Sequence, residues 1–217
     1  MIDSYKTVGE NTYEMIKKDI IFGNLKPLKK LKLNELKNNY KTSISTLREI
    51  LSRLSGDGFV VYEEQKGFYV SPVSKSDLKE IANLRILIES HALKYSLENS
   101  NPDWEGSLLA AHHKLNLYEN KLLKNKTEER SNWKRYDSEF HQTLVRNCNS
   151  KNLIELHKLI FDKYLRYQLL VLTFRGSGSI VEHKKLLDYS LERNFKKAQM
   201  VLEQHIQNGI IHANKSF

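Results

Sequence analysis

The hydrophobic period of this chain changes once, and that change fixes the architecture of its first third. Up to Leu54 the apolar residues recur about every 3.6 positions, the repeat of a helix with one buried face. From Phe59 onward they sit in two short β-rich runs, Phe59-Val-Val-Tyr62 and Gly67-Phe-Tyr-Val70, on either side of the polar tip Glu63-Glu-Gln-Lys66. Before the change, Val8, Tyr13, Ile16, Ile20 and Ile21 define a helix over 8–22 that stops at Gly23, with Pro27 beyond. A short helix over 34–40 follows, with Asn34 as its expected cap. A third runs from Ser43 or Ser45 to Leu54 with Ile44, Leu47, Ile50, Leu51 and Leu54 on one side. Three helices and a hairpin are the plan of a winged helix-turn-helix, in which the third helix enters the major groove and the hairpin touches backbone or minor groove. Its solvent side would present Ser45, Arg48, Glu49 and Ser52, groups suited to phosphates and base edges. The same pattern could serve a small bundle that binds protein.

Charge separates those two readings. The formal net charge is +9, and between Lys26 and Arg53 eight Lys or Arg face two acids, Glu35 and Glu49. Most of the excess lies in the segment expected to meet a partner, which points to a polyanion and, with the winged plan, to DNA. A composition of 40% hydrophobic and 28% charged residues with nine Gly and three Pro predicts folded domains, not disorder. The opening MIDSYKTVGE lacks a basic and apolar leader, and the longest apolar runs, such as 169–172, fall far short of the ~18 residues that cross a bilayer. The expectation is a cytoplasmic protein with no membrane partner. The single Cys148 cannot pair within the chain and reads as a small buried residue.

Pro72, within Ser71-Pro-Val-Ser-Lys-Ser76, marks a linker. The expected organisation is therefore a winged helix over 1–71, a linker over 72–76 and an all-helical bundle over 77–217. Helices are predicted at about 76–99, 103–124, 128–148, 151–174, 178–193 and 195–214. In the bundle, Asp137 and His141 lie four residues apart, so both side chains leave one face of a helix. If the last two helices run antiparallel, His183 and His205 become neighbours. Carboxylate and imidazole are ligands for divalent metals. An isolated Asp-x-x-x-His also arises as a surface pair or a satisfied core histidine. His91, His112, His113 and His157 have no comparable companion and read as packing or surface residues, and His212 as exposed.

An ordered set of motifs makes the chain resemble, nearly end to end, a GntR-family transcriptional regulator of the FadR-like class. The resemblance rests on Ile20-Ile21-x-Gly23-x-Leu25-x-Pro27, Leu47-Arg48-Glu49 with Leu54, Gly67-Phe-Tyr-Val70 and Leu84-Arg85 with Glu89. It continues through Asp137-x-x-x-His141, Glu182-His183 and His205. It implies a homodimer that binds a double-stranded DNA operator, a repressor by expectation, and no enzyme. It further implies that Asp137, His141, His183 and His205 bind a divalent metal such as Zn²⁺, Ni²⁺ or Mn²⁺, and that Arg85 receives the carboxylate of a small organic acid. At the operator, the matching positions are Ser43, Ser45, Thr46 and Arg48 in the third helix and Lys66 and Gly67 in the wing. The chain departs from the family pattern where the third helix reads Ser43-Ile-Ser-Thr-Leu-Arg-Glu-Ile50, with Ile44 for an Arg and Thr46 for a Pro, so its operator cannot be borrowed from other members. Two other readings use the same residues. A metal-dependent hydrolase with a nucleic-acid module would need a base beside the metal, and Glu139 and Glu182 are poorly directed for that. A purely metal-responsive regulator would have no use for Arg85.

Overall fold

A computed structural model describes residues 7–170 and 174–213 and divides the chain into two compact units, Met1–Ser74 and Lys75–Phe217. In the first unit, α1 (Val8–Ile21) starts at a reciprocal cap. The Thr7 hydroxyl accepts from Glu10 N at 3.1 Å while the Glu10 carboxylate accepts from Thr7 N at 2.8 Å. The next helix, α2, spans Leu33–Tyr40. Asn34 is not its cap: it lies inside the helix, and the cap position is Lys32, two residues earlier, which makes no side-chain cap bond and instead pairs with Glu35 at 2.8 Å. In α3 (Ile44–Gly56) Ser43 is the cap and accepts from Thr46 N at 3.1 Å. Leu47, Ile50, Leu51 and Leu54 are buried on its inner face, as are Ile16 and Ile20 of α1 and Leu36 of α2, the helices it packs against, and Ile44 is only partly covered.

The hairpin consists of β1 (Val60–Glu63) and β2 (Gly67–Val70), antiparallel with Val60 opposite Val70 and Glu63 opposite Gly67. Its tip closes through Lys66 N donating to Glu63 O, with Gln65 at φ 60° and Gly67 at φ 97°, a left-handed pair that a tight turn requires. The stretch between α1 and α2 is no plain connection. Leu28 N and Leu31 N donate to Val70 O and Phe68 O, and Val70 N donates to Lys29 O, so residues 28–31 line the outer edge of β2. Residue-by-residue pattern could not reveal this pairing, because the stretch reads Leu28-Lys-Lys-Leu31, without the β-branched or aromatic residues that signal a strand.

The second unit comprises α4 (Lys75–Glu98), α5 (Pro102–Leu123), a 3₁₀ turn (Thr127–Glu129), α6 (Arg130–Val145), α7 (Lys151–Leu170), α8 (Ser177–Leu191) and α9 (Phe195–Ala213). Asn101 caps α5 by accepting from Trp104 N at 2.9 Å, with Pro102 in the first turn where its missing N–H costs nothing. Left-handed residues end the helices where the breaks are expected, Asn149 at φ 57° and Arg193 at φ 55°. The helix expected over 128–148 is shorter. Its first residues form the 3₁₀ turn, and after Val145 the Arg146 and Cys148 amides bond three residues back. The ends of the helices expected to reach 174 and 214 lie in part outside the described residues. Helix α4 lies against α6, α7 and α9, and α8 against α5 and α9, around a core that includes Leu93, Leu108, Phe140, Leu144, Phe161, Leu186 and Leu202. Among the described residues no helix is long and apolar enough to cross a membrane.

At one place two of these helices approach too closely for a side chain. A Cβ on Gly209 of α9 would sit inside the van der Waals radius of the buried Tyr164 hydroxyl on α7, with Tyr164 Cζ at an ordinary 3.5 Å. Overpacking costs about 1–3 kcal/mol and outweighs the ~1 kcal/mol that Ala gains over Gly inside a helix. Gly209→Ala therefore destabilises the protein in urea unfolding, and in a Tyr164→Phe background, where the obstructing oxygen is gone, the same change becomes stabilising. A Gly209→Ala loss of equal size in that background would show that the hydroxyl is not what holds the glycine.

Candidate functional site

In the first unit, Ser45, Arg48, Glu49 and Ser52 all lie exposed on α3. Arg48 and Ser52 share a groove of about 1050 Å³ with Lys66 and Gly67 of the wing, Lys30 and Lys32. Ser43, Ser45 and Thr46 form a hydroxyl cluster at the start of α3, with the Ser43 oxygen 2.7 Å from Ser45 Oγ and 2.9 Å from Thr46 Oγ1. Lys66 makes an exposed pair with Glu63 at 3.2 Å, too weak to hold the ammonium against a phosphate. The basic groove and the small hydroxyls at the helix start lie on the same element pair, α3 and the wing.

In the second unit, helices converge on one point. Asp137 and His141 come from α6, His183 from α8 and His205 from α9. All four are buried, and one ligand atom from each lies within 4.8 Å of the others. The spacing within α6 follows from the four-residue turn, and the His183 and His205 rings face each other with centroids 4.6 Å apart. Behind each imidazole stands a carboxylate. His141 Nδ1 is 2.5 Å from Glu89 Oε1 of α4, His183 Nδ1 is 2.7 Å from Glu119 Oε1 of α5, and His205 Nδ1 is 2.8 Å from Glu182 Oε2 of α8. A carboxylate can only accept, so each Nδ1 carries the proton and each Nε2 keeps its lone pair. Arg175 Nη2 also lies 3.0 Å from His205 Nδ1, and Glu182 accepts from both. Three atoms on the inner side, His141 Nε2, His183 Nε2 and Asp137 Oδ2, are buried without a hydrogen-bond partner. His183 Nε2 stands 3.5 Å from Asp137 Oδ1 without bonding geometry.

Electrostatics keeps this set in ligating form. Burial lowers the pKa of His141, partly offset by Glu89, and burial together with His183 lowers that of His205 well below the usual value, so both are neutral near pH 7. Burial works against the Asp137 carboxylate, but the Lys134 ammonium 3.8 Å away acts the other way and holds Asp137 ionised. Glu89 is likewise opposed by burial and held far down by Arg85 and His141. Unpaired lone pairs in a dry interior are costly, and a cation between them removes the cost. Four donors of the right chemistry, one carboxylate oxygen and three imidazole nitrogens, lie within 4.8 Å of one another, so the residues fit a divalent metal.

Arg85 is fully buried, with Nε 2.8 Å from Glu89 Oε2 and its guanidinium 4.4 Å and 4.7 Å from the Phe161 and Tyr164 ring centroids. Both of its Nη atoms lack partners. Beside the cluster is a cavity of about 20 Å³ lined by Asp137, His183, His205, Tyr164, Lys134 and Arg175 among others, and Arg85 is not part of that lining. Two cations that the sequence pattern did not single out are therefore at the cavity. Lys134 precedes Asp137 by three residues, on the same face of α6, and this spacing was the available signal. Burial pushes its pKa down to about 7. Arg175 precedes α8 and forks to Glu182 at 3.2 Å and 2.5 Å. His157 is also less isolated than expected, since its Nε2 lies 3.3 Å from Glu89 Oε2. Neither acid weighed as a hydrolytic base is directed for one: Glu139 is paired with Lys114 at 2.7 Å, and Glu182 lies behind His205 on its Nδ1 side.

Comparison with known proteins fits both units. Residues 8–70 match the bacterial regulatory proteins of the gntR family, and residues 80–208, more than half of the chain, match the FCD domain. The chain is 28% identical over 211 residues to the uncharacterised HTH-type transcriptional regulator BphR of Paraburkholderia xenovorans (strain LB400), covering 96% of this chain and 86% of that one. It is 29% identical over 202 residues to the HTH-type transcriptional repressor GlaR of Escherichia coli (strain K12), covering 89% and 90%. The solved structure of E. coli McbR/YncC has the same fold, with a TM-score of 0.80 at 20% identity over 97% of this chain and 98% of that one. BphR and GlaR are named as an HTH-type transcriptional regulator and an HTH-type transcriptional repressor, not as enzymes. The chain belongs to the GntR family of bacterial transcriptional regulators, in the FadR-like class, with a winged helix-turn-helix followed by an FCD domain.

Proposed function

We propose that the protein is a homodimeric transcriptional repressor whose operator binding responds to a small organic acid held at a divalent metal by Asp137, His141, His183 and His205. One observation carries the reading: three histidines that converge with Asp137 each have Nδ1 against a carboxylate, and His141 Nε2, His183 Nε2 and Asp137 Oδ2 have no protein partner. The metal supplies a Lewis-acidic anchor for a carboxylate. The two unpartnered Nη atoms of Arg85 support a second contact to the same acid. Repression is supported by the likeness to GlaR, whose name describes a repressor.

Coupling to DNA follows from the small cavity. About 20 Å³ accepts one water-sized species. An acid therefore enters only in a conformation where the lining helices have moved, and a ligand that binds one conformation better shifts the population toward it. Helix α4 carries Arg85 and Glu89 and begins at Lys75, where the winged unit ends at Ser74. It is the element through which an acid at the cluster acts on the winged unit. The same tight cavity favours a second reading, a regulator that answers to the metal alone. The two part on one measurement, whether any small carboxylate raises the melting temperature of the metal-loaded protein. At a hundredfold excess over Kd the gain is about 2.7 kcal/mol.

Three outcomes are expected. The dimer binds a short inverted repeat with an affinity that falls steeply with salt. Arg48→Ala costs about 1–3 kcal/mol and relaxes specificity at one position, whereas Lys66→Ala weakens all sequences alike. Selection from random DNA that yields no shared motif counts against this. Chelator-free protein holds one divalent ion per chain, and Glu119→Gln lowers metal affinity about 10- to 100-fold by releasing the His183 ring. A stoichiometry near zero that added Zn²⁺, Ni²⁺ or Mn²⁺ does not raise would end the metal reading. The acid alters operator affinity about 5- to 150-fold. Arg85→Lys, which keeps a cation beside Glu89 but loses the fork, weakens acid binding and spares operator affinity without the acid.

A further inference from the structure

The groove between α3 and the wing has an apolar spot where the helix begins. Helix α3 lines it with Ile44, Arg48, Ser52 and Ser55, three or four residues apart and so on a single stripe, and Ile44 is the apolar member of that stripe. Ile44 is the first residue of the helix, directly after the Ser43 cap. Its side chain is only partly covered, whereas Leu47, Ile50, Leu51 and Leu54, which pack into the unit, are no more than 2% exposed.

In a helix-turn-helix the N-terminal residues of the reading helix are those that meet base edges. The side chain of Ile44 neither donates nor accepts a hydrogen bond, so it strips water from any polar group it covers and gives nothing back. In the major groove guanine shows two acceptors, cytosine an amino donor and adenine one of each, while thymine alone adds an apolar C5-methyl group. Thymine is therefore the base that offers Ile44 a surface favoured by losing water. An Arg at this position would select the acceptors of a guanine instead.

The neighbouring side chains leave this contact to Ile44. Thr46 also carries a methyl, but its Cγ2 lies 3.9 Å from where a Cβ on Gly9 of α1 would stand, and its hydroxyl is 2.9 Å from Ser43 Oγ, so both branches are turned to the protein. Ser45 has a hydroxyl alone, 2.7 Å from Ser43 Oγ. Arg48 follows Ile44 by one turn, about 6 Å along the axis, and base pairs are stacked about 3.4 Å apart, so the two side chains reach bases within about two pairs of each other.

We propose that Ile44 is a specificity-determining residue of the operator contact, and that it reads the methyl group of one thymine in each half-site, within about two base pairs of the base read by Arg48. This rests on the operator-binding reading above. An operator read in this way has a thymine where an Arg in the same place would select a guanine.

The test uses the full-length chain and a duplex obtained by selection from random DNA. Each thymine of the selected half-site is replaced in turn by deoxyuridine, which keeps every hydrogen-bonding group and lacks only the methyl. With wild type, one replacement weakens binding about fourfold, the worth of one buried methyl group. At that same place 5-methylcytosine binds better than cytosine by a similar factor. Ile44→Ser, which withdraws the apolar surface, binds the thymine and deoxyuridine duplexes equally, and Ile44→Gln does the same if the Ser variant does not fold. A wild-type loss below about twofold at every thymine overturns the role of Ile44 and leaves the operator reading standing. So does a loss of wild-type size in a folded variant, or a sensitive thymine more than about four base pairs from the position that Arg48→Ala relaxes. Selection that yields no shared motif overturns the operator reading itself, and this role with it.

Discussion

The carboxylate of Glu89 is the interaction on which the helical unit depends. It is fully buried, accepts from Arg85 Nε on one oxygen and from His141 Nδ1 on the other, and has His157 close by. Four ionisable side chains from α4, α6 and α7 thus meet at one dry point. Removing any one of them leaves another buried and unmatched, a loss typically larger than the net worth of the contact itself. A well-packed apolar core would be as stable, so stability alone does not explain the polar centre. What the network provides is orientation: it decides which nitrogen of His141 carries the proton and which way the ring faces. Glu119 and Glu182 do the same for His183 and His205.

Much of this was legible in the sequence, and the limit lies in what kind of spacing carries information. Asp137 and His141 could be paired because a helix turns in about four residues. His183 and His205 could be paired because two helices joined by a short turn fold back on each other. The supporting acids could not be read that way. Glu89 is 52 positions from its histidine and Glu119 is 64 from its own, separations set by how whole helices cross. Lys134 was legible by spacing but stands in the stretch Asn132-Trp-Lys-Arg-Tyr-Asp137, where a lysine reads as solvated until the fold buries it.

The winged unit repeats the lesson at lower cost. Its helices and hairpin followed from the change of period, and Ser43 from its place before an apolar face. The wrong cap for α2 came from trusting side-chain type: Asn is a better cap than Lys in general, but the exposed Lys32–Glu35 pair occupies that turn. The unforeseen pairing of residues 28–31 with β2 is a third layer of hydrogen bonds on a sheet that the pattern limits to two strands.

That third layer has a mechanical consequence. A lone two-stranded hairpin is marginal in water and would sway about its base. Here β2 is gripped by β1 on one side and by the chain between α1 and α2 on the other, and Ser71 N bonds back to Phe59 O at the root. Wing tip and reading helix therefore behave as a single stiff tool with a fixed gap between its two points. Such a tool can be brought to the double helix or withdrawn from it, but not reshaped, and any control over DNA affinity must act on how it is carried.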